Sequence, residues 1–200
     1  MRRRSFLGYG AAAFGVIGLT LFAGWWRVDG PGAPQAVGAR PLPLTEMDFS
    51  LRDHEGRTVG PETLIGSPTI AFFGFTHCPD VCPTSLFEIS EVLRAMGKDA
   101  DSVNAYFISV DPERDNPATM KDYLSSFDPH LKGLTGDPEV LAKVLTEYRV
   151  YAKKVPLKDG DYTMDHTALV YLMDRNGRFV APFNLKRTPE EAAADLKKYL

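Results

Sequence analysis

Thr69-Ile70-Ala71-Phe72-Phe73-Gly74-Phe75-Thr76-His77-Cys78-Pro79-Asp80-Val81-Cys82-Pro83-Thr84 decides how the rest of the chain is read, because its character changes halfway along. The apolar and aromatic run from Thr69 to Phe75 predicts a buried strand, and the segment after Pro83 predicts a helix. The only 2 cysteines of the chain therefore fall in a strand-to-helix turn. Pro83 suits the first helical position, where its missing N–H costs nothing, and this makes Cys82 the expected N-cap. A thiolate there would face unpaired N–H groups and the positive end of the helix dipole, both of which lower a cysteine pKa. Pro79 and Pro83 restrict the backbone so that the sulfurs stay near one another in either redox state.

Working outward, Pro83 to Met96 has Leu86, Ile89, Val92 and Leu93 at helical spacing. Ala105 to Val110 predicts a second buried strand, ending in the acidic loop Asp111 to Pro117, and a helix is expected over Ala118 to Phe127. Asp137-Pro138 opens a further helix to about Glu147. Tyr148 to Val155 reads as a strand, Lys158 to Asp161 as a turn and His166 to Met173 as a strong strand. Asp174-Arg175-Asn176-Gly177 is a hairpin turn with Arg178 to Phe183 returning, and Thr188-Pro189-Glu190-Glu191 caps the last helix. Upstream, Phe49 to Arg52 and Arg57 to Val59 form a short hairpin. Strand, helix, strand, helix, then a hairpin and a helix is the thioredoxin-like α/β order, in one domain over residues 47–200.

Residues 1–4 are a basic segment, and 5–26, Ser5 to Trp26, contain no charge and are long enough to cross a bilayer. Arginines before this span predict a single-pass anchor, a cytoplasmic N-terminus and an exported body. Arg3-Arg4-Ser5-Phe6-Leu7 also resembles a twin-arginine export signal, the alternative to an uncleaved anchor. Residues 27–46, rich in Gly, Pro and Ala, read as a linker holding the domain off the membrane. A formal net charge of −3 with no basic stripe argues against nucleic acid as a partner.

Three residues separate the thiols, one more than in thioredoxin-type dithiols. A purely structural disulfide would close a very short loop, where the gain is smallest. A closed structural zinc wants four ligands, whereas soft thiolates select Cu(I), which accepts two or three. His166 is the best third ligand, since the strand it is expected to open lies across from the cysteine turn in this fold. The residues alone leave it open between a ligand and a hydrogen-bonded core histidine. His77 adjoins Cys78 but would point to the opposite face, and His54 and His130 sit in expected turns and read as solvated. Asp165 could orient the imidazole or cap a turn. Met47, Met96, Met120, Met164 and Met173 do not form a methionine-rich copper motif, and core packing accounts for most of them.

With Gly74 to Thr84, Val110-Asp111-Pro112-Glu113-Arg114-Asp115 and Asp165-His166-Thr167 in hand, the chain closely resembles the Sco/SenC family from about Leu44 to the C-terminus. The resemblance implies a thioredoxin-like domain tethered outside the bacterial inner membrane, on the periplasmic side, or in the mitochondrial intermembrane space, and binding one copper ion as Cu(I) or Cu(II); the bacterial location is the one expected here. It implies Cys78, Cys82 and His166 as metal ligands. Members support assembly of the binuclear copper centre of cytochrome c oxidase subunit II, as copper donors, as reductants of its cysteines, or both. Other periplasmic copper carriers or thiol reductants are the further partners it implies. Asp111 and Asp115 are candidates for a docking rim, or equally for helix capping and loop solvation. The main rival is a thiol-disulfide oxidoreductase with Cys78 and Cys82 as catalytic redox pair and no copper role. A peroxidase of peroxiredoxin type is disfavoured by proline at position 79, where that family wants threonine, and a pure interaction module would dispense with both thiols.

Overall fold

The computed structural model describes residues 48–158 and 160–200. The basic segment, the anchor over 5–26, the linker over 27–46 and Met47 lie outside the described residues, as does Asp159 of the expected turn. Among the described residues no helix is long and apolar enough to cross a membrane.

Thr69–Gly74 (β3) is buried at every position, as a strand covered on both faces must be. It runs parallel to Asn104–Ser109 (β4) in the register Phe72↔Phe107 and Gly74↔Ser109. Upstream, Leu51–Asp53 (β1) and Thr58–Val59 (β2) make the expected antiparallel hairpin, with Leu51 opposite Val59. The cysteine-bearing helix is Val81–Met96 (α1), and Pro117–Leu124 (α2) starts at Asn116, whose side chain caps Thr119 N–H.

Leu131–Thr135 (β5) was not expected. It is parallel to β4, and its five residues carry a central glycine and no apolar periodicity. Gly133 is there for closeness: a Cβ would come within 2.9 Å of both Leu124 and Met120 of α2. Pro138–Glu147 (α3) begins at the Asp137 cap, as expected. Its end explains why the following strand, Ala152–Pro156 (β6), starts four residues later than Tyr148. Val150 N–H reaches back to the Leu145 carbonyl and Arg149 N–H to that of Thr146, a Schellman close with Arg149 at φ 53°. Glycine usually marks that position, and none is present.

The strand expected over His166 to Met173 is broken: His166 ends one strand and Val170 opens another. Tyr162–His166 (β7) pairs only with β6, while Val170–Met173 (β8) pairs antiparallel with β3. Thr167 to Leu169 carry the chain from one sheet to the other. An apolar run cannot show where a strand changes partner, because the side-chain period stays at two. Phe179–Pro182 (β9) returns beside β8, and Pro189–Leu196 (α4) starts at the expected Thr188 cap, which closes a capping box with Glu191.

The main sheet of the described residues has the order β2-β1-β5-β4-β3-β8-β9, and β6-β7 is a separate ribbon. This is the thioredoxin-like α/β arrangement. Phe72 stacks on Phe107 on one side of the sheet while Phe73 meets Tyr148 and Tyr171 on the other, all three phenylalanines being fully buried; α1, with Leu86, Ile89 and Leu93 in the core, packs on α4. Each such side chain contributes about 1.5–3 kcal/mol by leaving water. Since β8 runs against β3 with Val170 opposite Phe72, the residues just before Val170 arrive beside the carboxyl end of β3.

Candidate metal centre

β3 ends at Gly74, and the turn to α1 carries both cysteines. Cys78 N–H closes onto the Phe75 carbonyl at 3.3 Å, which folds the turn back over the strand end. The helix begins earlier than expected: Asp80 is the N-cap, without a side-chain bond, and Cys82 is the second helical residue. The free amide of this first turn is therefore not beside its own thiol. Cys82 N–H is 3.4 Å from Cys78 Sγ, so the helix N-terminus serves the other cysteine.

Cys82 has no exposed surface, and Cys78 is half-buried; both are free thiols. Burial pushes the Cys82 thiol well above the ordinary cysteine range, and the neighbouring Cys78 adds to it. The expectation of a lowered pKa at Cys82 is thus overturned, because desolvation at this inner position outweighs the helix end.

His166, the last residue of β7, points at the thiols: its Nε2 is 3.5 Å from Cys82 Sγ. Its Nδ1 lies 3.2 Å from the Thr167 carbonyl oxygen, which can only accept. A neutral imidazole held this way keeps its proton on Nδ1 and turns the Nε2 lone pair to the sulfurs, the form in which imidazole ligates metals. Asp165, the expected orienting partner, is exposed one position earlier on the strand, and neighbours on a strand face opposite ways. Phe75 stands edge-on to the His166 ring at 5.7 Å, with Phe72 at 6.3 Å, so the imidazole is walled by aromatics.

The ligand atoms of Cys78, Cys82 and His166 all lie within 4.8 Å of one another. Two soft sulfurs and one imidazole suit Cu(I) at low coordination number, and among the described residues no fourth His, Cys, Asp or Glu completes a closed zinc site.

The other candidates fall elsewhere. His77 Nδ1 meets the Thr76 hydroxyl at 3.0 Å. His54 Nδ1 accepts from Gly133 N–H, and His130 is paired with Asp128 and Asp101, so both are engaged rather than merely solvated. Met96, Met120 and Met173 are core residues, and Met164 packs partly buried against that core.

Asp111 and Asp115 are buried, which removes them from any docking rim. Asp115 accepts from the Thr76 hydroxyl at 2.6 Å and the Ser109 hydroxyl at 2.7 Å, tying the cysteine turn to the end of β4. Burial raises its pKa, and the bonds from Thr76 and Ser109 oppose that rise. Gly74 escaped notice at the sequence level. A Cβ there would lie 2.8 Å from Cys82 Sγ and 2.7 Å from the Phe107 ring, so the second sulfur rests on bare backbone. The signal was present as one glycine inside a buried aromatic run.

The SCO1/SenC family profile matches residues 38–200 of the chain. The copper-bound structure of Bradyrhizobium japonicum ScoI is 78% identical with a TM-score of 0.76, over 77% of this chain and 98% of that one. The mitochondrial SCO2 homolog of Danio rerio is 37% identical over 164 residues, which are 80% of this chain and 59% of the relative. The SCO2-like protein of Rickettsia felis is 37% identical over 75% of this chain and 74% of its own length. The cysteine turn, the loop after β4 and the histidine at the end of β7 thus sit in a chain that belongs to the SCO1/SenC family.

Proposed function

We propose that this protein binds one copper ion through Cys78, Cys82 and His166 and delivers it to, or prepares by reduction, the binuclear copper centre of cytochrome c oxidase subunit II. The observation that carries the reading is the convergence of two sulfurs and a correctly turned imidazole within 4.8 Å. The copper-bound relative from Bradyrhizobium japonicum supports it. Two thiolates and a neutral imidazole around Cu(I) leave the site with one net negative charge, and the ion can leave by exchange of one ligand at a time.

The same dithiol can reduce a partner. A Cys78 thiolate attacks the partner disulfide and releases one partner thiolate. Cys82 then attacks the Cys78 sulfur and frees the second, leaving a Cys78–Cys82 disulfide and a partner reduced by two electrons. Copper loading and the disulfide exclude each other because they use the same sulfurs. The N-terminal arginines and the uncharged span Ser5 to Trp26 support single-pass anchoring in the bacterial inner membrane with the domain on the periplasmic side.

The test is His166→Ala, with anaerobic Cu(I) competition against a chromophoric chelator and a parallel assay of dithiol reductase activity. Copper affinity is expected to fall while reductase activity persists. Unchanged affinity removes His166 as a ligand and favours the oxidoreductase reading. Protease shaving of spheroplasts tests the anchoring: the domain should be cleaved only when the outer face is accessible.

A further inference from the structure

A two-stranded ribbon is marginal by itself, yet β6-β7 carries the only imidazole ligand. Neither strand pairs with the main sheet, and β6 is almost wholly exposed. Something on the body must hold the ribbon. Residues of the loop after β4 do so. Arg114 Nη1 donates to the Tyr162 carbonyl at 2.8 Å and to Asp161 at 3.3 Å, while its Nε donates to Asp111 Oδ2 at 2.5 Å. Its guanidinium lies 3.7 Å from the Tyr162 ring centre and 5.8 Å from that of Phe75, the ring that abuts His166. Tyr162 O–H donates to the other oxygen of Asp111 at 2.8 Å. The Asp111 side chain has no exposed surface, and that of Arg114 is 16% exposed, so the charge-assisted bonds are shielded from water. Lys154 of β6, paired with Glu113, adds a second cation 4.6 Å from the Tyr162 ring.

We infer that Asp111, Arg114 and Tyr162 form a clamp that fastens the β6-β7 ribbon to the body and so sets the His166 imidazole against the cysteine pair. They are positioning residues, acting on copper through His166. This gives the Asp111-Pro112-Glu113-Arg114 segment a task that neither ligation nor partner docking supplies.

The affinity arm of the test rests on the copper reading above; the exchange arm does not. In the full chain, Arg114→Ala is expected to weaken Cu(I) binding about 10- to 100-fold, the range for residues that orient a ligand. Added to His166→Ala, it should cost nothing further. The same loss in both backgrounds overturns the inference, since Arg114 would then act through the thiols or the whole fold. Without copper, Arg114→Ala should speed amide hydrogen exchange over β6 and β7 and leave β3 and β4 unchanged; an unaltered ribbon also overturns it. Arg114→Lys, which keeps the charge but lacks the planar fork, should not restore affinity. If Arg114→Ala does not fold, Tyr162→Phe removes the Asp111 bond alone and is read in the same two ways. A wild-type chain that binds no copper defeats the functional reading and leaves the exchange arm to decide the clamp.

Discussion

Cys78 and Cys82 are four positions apart and differ in what reaches them. Cys78 is half-buried and receives an N–H from the helix start, whereas Cys82 is enclosed, with its thiol pKa raised chiefly by burial. At pH 7 without copper, a haloacetamide should therefore label one thiol, and peptide mapping should find it on Cys78; equal labelling would contradict this division. Cys82 in turn depends on Gly74. Gly74→Ala forces a methyl against Cys82 Sγ and Phe107, so we expect a loss of about 1–3 kcal/mol in denaturant unfolding, together with weaker copper binding. Unchanged copper affinity in a folded Gly74→Ala protein would show that the sulfur tolerates displacement. The cysteines were plain in the sequence. Their inequality was not, because burial depends on what packs over a turn rather than on the turn residues themselves.

At the level of elements, the helices were the most legible part. Asp137-Pro138 and Thr188-Pro189-Glu190-Glu191 carry start signals whose physics is local, a side-chain oxygen meeting an orphan N–H, and both helices begin where those signals stand. Thr188→Ala should destabilise the domain by about 1 kcal/mol in thermal or denaturant unfolding. It should leave copper stoichiometry unchanged, since α4 supplies none of the three ligands. Strands were less legible. The sequence carries no sign of β5 or of most of β7, and does not show that His166 closes one strand instead of opening the next, because pairing is decided by distant residues: Phe107 opposite Gly133, Val170 opposite Phe72, Ala152 opposite His166. α1 starts two residues ahead of Pro83 because proline suits several positions of a first turn, and Val81 and Cys82 precede it in helical form.

Across the whole molecule, pairing of charges ties distant segments and makes stability depend on pH. Asp128 and Asp101 hold His130 above its ordinary value of about 6.5. The folded state then binds the proton more tightly than the unfolded one. Its contribution is fully present below about pH 6.5 and is lost as pH rises through the raised native value. Unfolding measured between pH 6 and 9 should show wild type losing stability relative to His130→Gln over this interval; parallel curves would remove His130 from the balance. Local pattern alone was enough for the buried strand before the dithiol, its parallel neighbour β4, the caps of α3 and α4, and the residue types that make copper the matching ion, because these follow from local propensity and ligand chemistry. Only the tertiary structure decided which cysteine is enclosed, that His166 ends a ribbon instead of opening a strand, and that Asp111 and Asp115 are internal struts. Each of those depends on contacts between residues far apart in the chain, which a linear pattern does not carry.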